Sequence, residues 1–107
     1  MVTEISTEEL HECIGAGDPP QIIDIRPPAA FQQGHIPGAQ NLPMAQLATN
    51  IDQVEWADKI VVACPIGQSS VQAARLIGSF EGVEDSGTVY SLAGGYNDWE
   101  WDLEQGE

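Results

Sequence analysis

Apolar residues fall in short runs separated by polar, helix-spaced stretches. The most compact run, Ile60-Val61-Val62-Ala63, ends at Cys64. Gln21-Ile22-Ile23-Asp24-Ile25 carries isoleucines on both faces, as expected of a strand in a sheet covered on both sides. Val2–Ile5, Gln40–Leu42 and Thr88–Leu92 are further extended candidates. Between them the period changes to that of helices. Ser6 or Thr7 caps a helix through Ile14, with Glu8 and Glu9 in its first turn, where carboxylates oppose the helix dipole. Ala29–Gln33 predicts one or two turns, and Met44–Thr49 a short helix with Met44, Leu47 and Ala48 on one side. A longer helix spans Ser70–Phe80, with Ala73, Ala74, Leu76, Ile77 and Phe80 on its packed face. Gly15–Pro20, Gly34–Ala39 and the acidic Gly82–Gly87 stretch read as loops. Strands alternating with helices predict an α/β fold. Its mainly parallel central sheet has about five strands with helices on both faces, and its ligand site lies at the strands' carboxyl ends.

The 107 residues, of which 42% are hydrophobic, fit a single domain over 1–107. No apolar run approaches the ~20 residues of a bilayer span, and the acidic start MVTEISTEEL does not read as a secretion signal. A cytoplasmic location is therefore expected. Charge changes the picture more. There are 17 Asp and Glu against 3 Lys and Arg, a formal net charge of −14. Arg26, Lys59 and Arg75 are the only cationic residues, so binding to nucleic acid or an anionic membrane is excluded for want of a basic cluster.

Two cysteines do not make a disulfide scaffold. Cys13 shares an i, i+3, i+4 stripe with Leu10 and Ile14 and reads as core. Cys64 stands between a strand and the loop Pro65-Ile66-Gly67-Gln68-Ser69, with a helix following. A thiol there faces backbone N–H groups and a helix amino terminus, which favour the thiolate. The alternative reading of Cys64 is a small buried hydrophobe.

Three segments, in order along the chain, resemble the rhodanese-like (sulfurtransferase) family. Asp24-Ile25-Arg26 followed by Gly34-His35-Ile36-Pro37-Gly38-Ala39 is similar to its amino-terminal signature. Cys64-Pro65-Ile66-Gly67-Gln68-Ser69 resembles the Cys-x-x-Gly-x-Ser loop of small members, and Gly94-Gly95-Tyr96-Asn97-Asp98-Trp99 the Gly-Gly-x-x-x-Trp ending. The resemblance implies a rhodanese-like fold and a reachable, ionised Cys64 that carries sulfane sulfur as a persulfide. Its donor would be thiosulfate or a persulfide-bearing protein, and a nucleophile would be the acceptor. It implies no metal and no cofactor. Backbone amides of Ile66, Gly67, Gln68, Ser69 and Ser70 would cradle the anionic sulfur.

Asp24 and Arg26, two apart on a strand end, and His35, in its turn, read as structural support of the site. Gly94 and Gly95 permit a sharp turn, and Trp99 is a packing anchor. Two departures qualify the resemblance: Pro65 has no N–H, and the loop has no cation to meet thiosulfate. Cysteine phosphatases on this fold need an arginine six positions after the cysteine, where this chain has Ser70. The alternative function is a non-catalytic binding or regulatory module, or a thiol redox sensor.

The carboxylates are dispersed and lysine is nearly absent, which points to a halophilic protein adapted to a high-salt cytoplasm. Raising salt from ~0.15 M to ~1 M shortens the Debye length from about 8 Å to about 3 Å and screens self-repulsion. The melting temperature is therefore expected to rise steadily from dilute to molar KCl; a flat or falling series contradicts this.

Overall fold

The computed structural model describes residues 3–80, 83 and 88–106. Its strands are β1 (Thr3–Ile5), β2 (Gln21–Asp24), β3 (Gln40–Asn41), β4 (Lys59–Ala63) and β5 (Thr88–Leu92). They form one sheet in the order β1-β5-β4-β2-β3, and every pairing is parallel. Parallel neighbours need crossovers. These carry α1 (Thr7–Gly15), α2 (Pro28–Gln33), α3 (Met44–Asn50) and α4 (Ser69–Ser79), with single 3₁₀ turns at Ile51–Gln53 and Gly95–Asp98. The expected five-strand α/β architecture is the one observed.

Side-chain alternation in β2 and β4 divides the core in two. Ile23, Ile25, Ile60, Val62 and Cys64 join Leu47 of α3 and Ala73, Ala74 and Ile77 of α4 on one face. Ile22, Val61, Ala63 and Leu92 join Leu10 of α1 and Ile36 on the other. Both faces of the central strands are thus covered, as a parallel sheet requires. The register sets Asp24 opposite Ala63 and Val62 opposite Ser91. Cys64 therefore emerges from the middle of the sheet, one residue beyond β4.

Helix α1 starts where its sequence places it. The Ser6 hydroxyl accepts from the Glu9 amide at 3.1 Å, and Glu9 accepts from the Ser6 amide at 3.2 Å, a reciprocal capping box. The strand predicted to Ile25 ends at Asp24 as a ladder, although the Ile25 amide still donates to the Ala63 carbonyl at 3.1 Å. Helix α4 begins at Ser69, one residue earlier than expected.

Three predicted core faces are narrower than their sequence stripes. On α3 the buried residue is Leu47, while Met44 and Ala48 are exposed. A seven-residue helix offers the sheet little more than one side chain per turn. On α4 Leu76 is 40% exposed, because it lies about 100° around the helix from the buried Ile77. Cys13 of α1 is likewise on the flank, half-buried, and outside both core clusters, not the core residue expected. Val2 and the acidic loop Gly82–Gly87, apart from the buried Val83, lie outside the described residues. Among the described residues no helix is long and apolar enough to cross a membrane.

These faces separate in urea unfolding. Leu47→Ala is expected to lose about 2–5 kcal/mol, as for a buried leucine, and Leu76→Ala no more than about 0.5 kcal/mol. Equal losses at the two sites would contradict the packing described.

Candidate active site

The Cys64 sulfur sits under the start of α4. Its Sγ accepts the Gly67 amide at 3.0 Å and the Ser70 amide at 3.3 Å. Burial pushes the thiol pKa up, but the Ser70 hydroxyl and the amides of Ser70, Gly67 and Ile66 outweigh it, and the net shift is below the ordinary value. The first-turn N–H groups of a helix have no intrahelical partner, so Ser70 donates to the sulfur without breaking the helix ladder. Of the five amides expected to cradle the sulfur, Gly67 and Ser70 bond to it and Ile66 contributes. Those of Gln68 and Ser69 make no such bond among the described residues. Gly67 in the loop, at φ +87°, and Ser70 in the first turn of α4 converge on the sulfur from two sides of that junction.

The sulfur is less open than the sequence suggests. Cys64 is 1% exposed, whereas Pro65 and Ile66 of the same loop are exposed. The thiol is the floor of the loop, with the α4-side core behind it.

The loop is held from outside. The Tyr96 amide donates to the Cys64 carbonyl at 3.0 Å, and the Asn97 amide to the Pro65 carbonyl at 2.9 Å. In a trans peptide the C=O and the following N–H point in opposite directions. Anchoring the Pro65 carbonyl on Asn97 therefore turns the Ile66 N–H inward. The N–H that Pro65 lacks belongs to the peptide whose carbonyl Tyr96 holds. Such close approach needs two glycines. Gly67 has φ +87°, and a Cβ there would come within 2.9 Å of the Gly94 nitrogen; a Cβ on Gly95 would collide with the Cys64 carbonyl.

Asp24, Arg26 and His35 do not touch the sulfur; they lie on the opposite, α1 side of the sheet. Arg26 grips Asp24 through Nη2–Oδ2 at 2.7 Å and Nε–Oδ1 at 3.1 Å, and gives Nη2 to the Gly34 carbonyl at 2.7 Å. Burial lowers the Arg26 pKa, but the adjoining Asp24 carboxylate more than offsets this and the net shift is upward, so the guanidinium stays charged. Tyr96 donates its hydroxyl to Asp24 Oδ2 at 2.7 Å, accepts from the Ile36 amide at 3.1 Å, and places its ring 3.6 Å from the Arg26 guanidinium carbon. Burial and the Asp24 charge push the Tyr96 phenol pKa up, which keeps it a neutral donor. His35 is a buried corner: its Nδ1 donates to the Phe31 carbonyl at 2.8 Å, its ring stacks on Phe31, and its backbone pairs with Glu104.

The link to the sulfur is Tyr96, which grips Asp24 with its side chain and Cys64 with its backbone. Reading the sequence missed this residue, and it missed Ser91, whose hydroxyl lies 2.7 Å from that of Ser70. Their partners, Asp24 on β2 and Ser70 on α4, are distant in sequence. The only available signal was a tyrosine directly after two turn glycines and a serine in an otherwise apolar strand.

These features define a class: parallel α/β proteins with a cysteine in a strand-to-helix loop. The rhodanese-like domain profile matches residues 6–101. The thiosulfate sulfurtransferase GlpE of Shewanella oneidensis is 43% identical over 79 residues, 74% of this chain and 74% of that protein. GlpE of Pseudoalteromonas translucida is 40% identical over 79 residues, covering 74% and 71%. The chain belongs to the rhodanese-like domain family. In fold it is similar to a rhodanese-like domain protein from Staphylococcus aureus, with TM-score 0.84, 23% identity and coverage of 99% and 100%. The human single-domain sulfurtransferase TSTD1 aligns with TM-score 0.74 and 24% identity over 92% and 96%.

Removing one partner of the buried ion pair, as in Arg26→Ala, is expected to cost about 3–5 kcal/mol, and Tyr96→Phe about 1–3 kcal/mol. Chemical denaturation measures both. Wild-type stability in the two variants would contradict the anchoring role of this network.

Proposed function

We propose that the protein is a sulfurtransferase that carries sulfane sulfur on Cys64. The observation that carries this reading is the pair of amides, Gly67 and Ser70, aimed at a sulfur whose pKa lies below the ordinary value. The Cys64 thiolate attacks the outer sulfur of a donor; with thiosulfate, the S–S bond to the sulfonate breaks and sulfite leaves with the bonding pair. The enzyme then holds Cys64–S–S⁻. A nucleophile such as cyanide attacks the terminal sulfur, the S–S bond breaks, and the thiolate returns as thiocyanate departs. No net proton transfer is needed, which fits a sulfur bonded only by amides among the described residues and the structural placement of His35.

The amides of Ile66, Gly67, Gln68, Ser69 and Ser70 are the donors available to the charged terminal sulfur as it extends past Cys64 into the loop. Pro65 subtracts one donor, since the peptide whose carbonyl Tyr96 holds outward would otherwise turn its N–H inward. The thiosulfate sulfurtransferase relatives support the reaction class. The loop itself contains no arginine or lysine, and Arg75 is exposed on α4. Thiosulfate, a dianion, therefore meets a net charge of −14 without a local cation, and a persulfide on another protein is the better-matched donor. A non-catalytic module or thiol redox sensor is the second reading, favoured by Pro65 and by a loop without a cation.

Protein purified without reductant and exposed to thiosulfate or a protein persulfide in molar salt is expected to gain roughly 32 daltons on the Cys64 peptide. Cyanide should then remove the added mass as thiocyanate, and Cys64→Ala should abolish both. No adduct from any sulfane donor contradicts the proposal and leaves the sensor reading.

A further inference from the structure

We propose that Ser91 is a positioning residue for the Cys64 sulfur, acting through the hydroxyl of Ser70. The inference rests on the reading of Cys64 as the nucleophile. Ser91 lies on β5, opposite Val62 and next to the fully buried Leu92; it is itself fully buried, as is Ser70. Neither hydroxyl meets solvent, and they hydrogen-bond to each other at 2.7 Å. A hydroxyl placed in a core strand is unfavourable unless it finds a partner, and the partner here is the residue whose amide also donates to the sulfur at 3.3 Å. The bond ties the first turn of α4 to β5 and so fixes the Ser70 amide relative to Cys64.

The hydrogen bond also decides where the Ser70 proton goes. A hydroxyl has one proton and two lone pairs. When Ser91 donates to Ser70 Oγ, the Ser70 proton is free to turn to the sulfur and stabilise the thiolate. The reverse order presents a Ser70 lone pair to the sulfur, which suits only the protonated thiol. Ionisation of Cys64 therefore selects the order Ser91 to Ser70 to Cys64. The Ser70 hydroxyl is itself among the groups that lower the thiol pKa. Ser91 contributes direction without charge. Titratable groups on the surrounding elements are Asp24 at the end of β2, which is bound to Arg26, then Tyr96 and Asp98 after β5, and Arg75 on α4; none bonds to the sulfur among the described residues.

The test is the pH dependence of Cys64 alkylation in a Cys13→Ser background, followed on the Cys64 peptide by mass spectrometry. Ser91→Ala is expected to raise the midpoint by about half to one pH unit, and Ser91→Thr, which returns the hydroxyl, to restore it. Ser70→Ala should raise it at least as far, and Ser70→Ala/Ser91→Ala no further than Ser70→Ala alone. An unmoved Ser91→Ala midpoint overturns the proposal. So does a Ser91→Ala shift that persists in full without the Ser70 hydroxyl, since that would be a merely structural effect. Should Ser91→Ala not fold, Ser70→Ala carries the test, and a wild-type midpoint there overturns it. Persulfide formation by the wild type with an unmoved Ser91→Ala midpoint removes only this role. A wild type that takes up no sulfur removes the transfer reading and leaves the midpoint comparison standing.

Discussion

Two backbone hydrogen bonds, from the Tyr96 and Asn97 amides to the Cys64 and Pro65 carbonyls, hold the start of the loop around the sulfur. Because a trans peptide cannot turn its carbonyl outward without turning its N–H inward, fixing the Pro65 oxygen aims the Ile66 N–H into the loop. The glycines follow from the same constraint: Gly67 and Gly95 are where the loop and the turn after β5 meet too closely for a Cβ. The Asp24–Arg26–Tyr96 network acts one step further out. It never approaches the sulfur, yet it anchors the residue whose amide holds the Cys64 carbonyl.

An acidic protein that favours one more anion at its centre needs the local field to win over the distant one. Net charge acts over distances that salt screens, about 8 Å at physiological ionic strength. The Gly67 and Ser70 amides act at 3.0 and 3.3 Å, inside a site from which water is largely excluded. Neutral dipoles can therefore favour a thiolate here while the surface as a whole repels a free dianion such as thiosulfate. The same arrangement lets a thiolate be favoured without a cation: the donors are backbone groups, which carry no charge to be matched and no side-chain entropy to be lost.

Much of the fold is legible in the sequence because the apolar runs of β2 and β4 are short and buried on both sides, so no period has to be guessed. The capping box at Ser6 and Glu9 is equally local. Errors arise where a helical stripe is broader than the surface it meets, as at Met44, Ala48, Leu76 and Cys13. Cys64 and its loop are readable because nucleophile and donors lie within six residues of one another. A loop sequence does not say which amides converge on Sγ, so it does not separate Gly67 and Ser70 from Gln68 and Ser69. Tyr96 and Ser91 escape for the opposite reason: their partners, Asp24 and Ser70, are 72 and 21 residues away and meet only through the sheet.

The central claim is that the peptide geometry of the loop holds the Cys64 sulfur as an anion. Ultraviolet thiolate absorbance, titrated against pH in Cys13→Ser protein, reads that state directly. The account predicts a Cys64 midpoint below the ordinary thiol value of ~8.5, moving back toward it in Gly95→Ala, where the clamp cannot close. A midpoint at or above the ordinary value in the unaltered loop would contradict it.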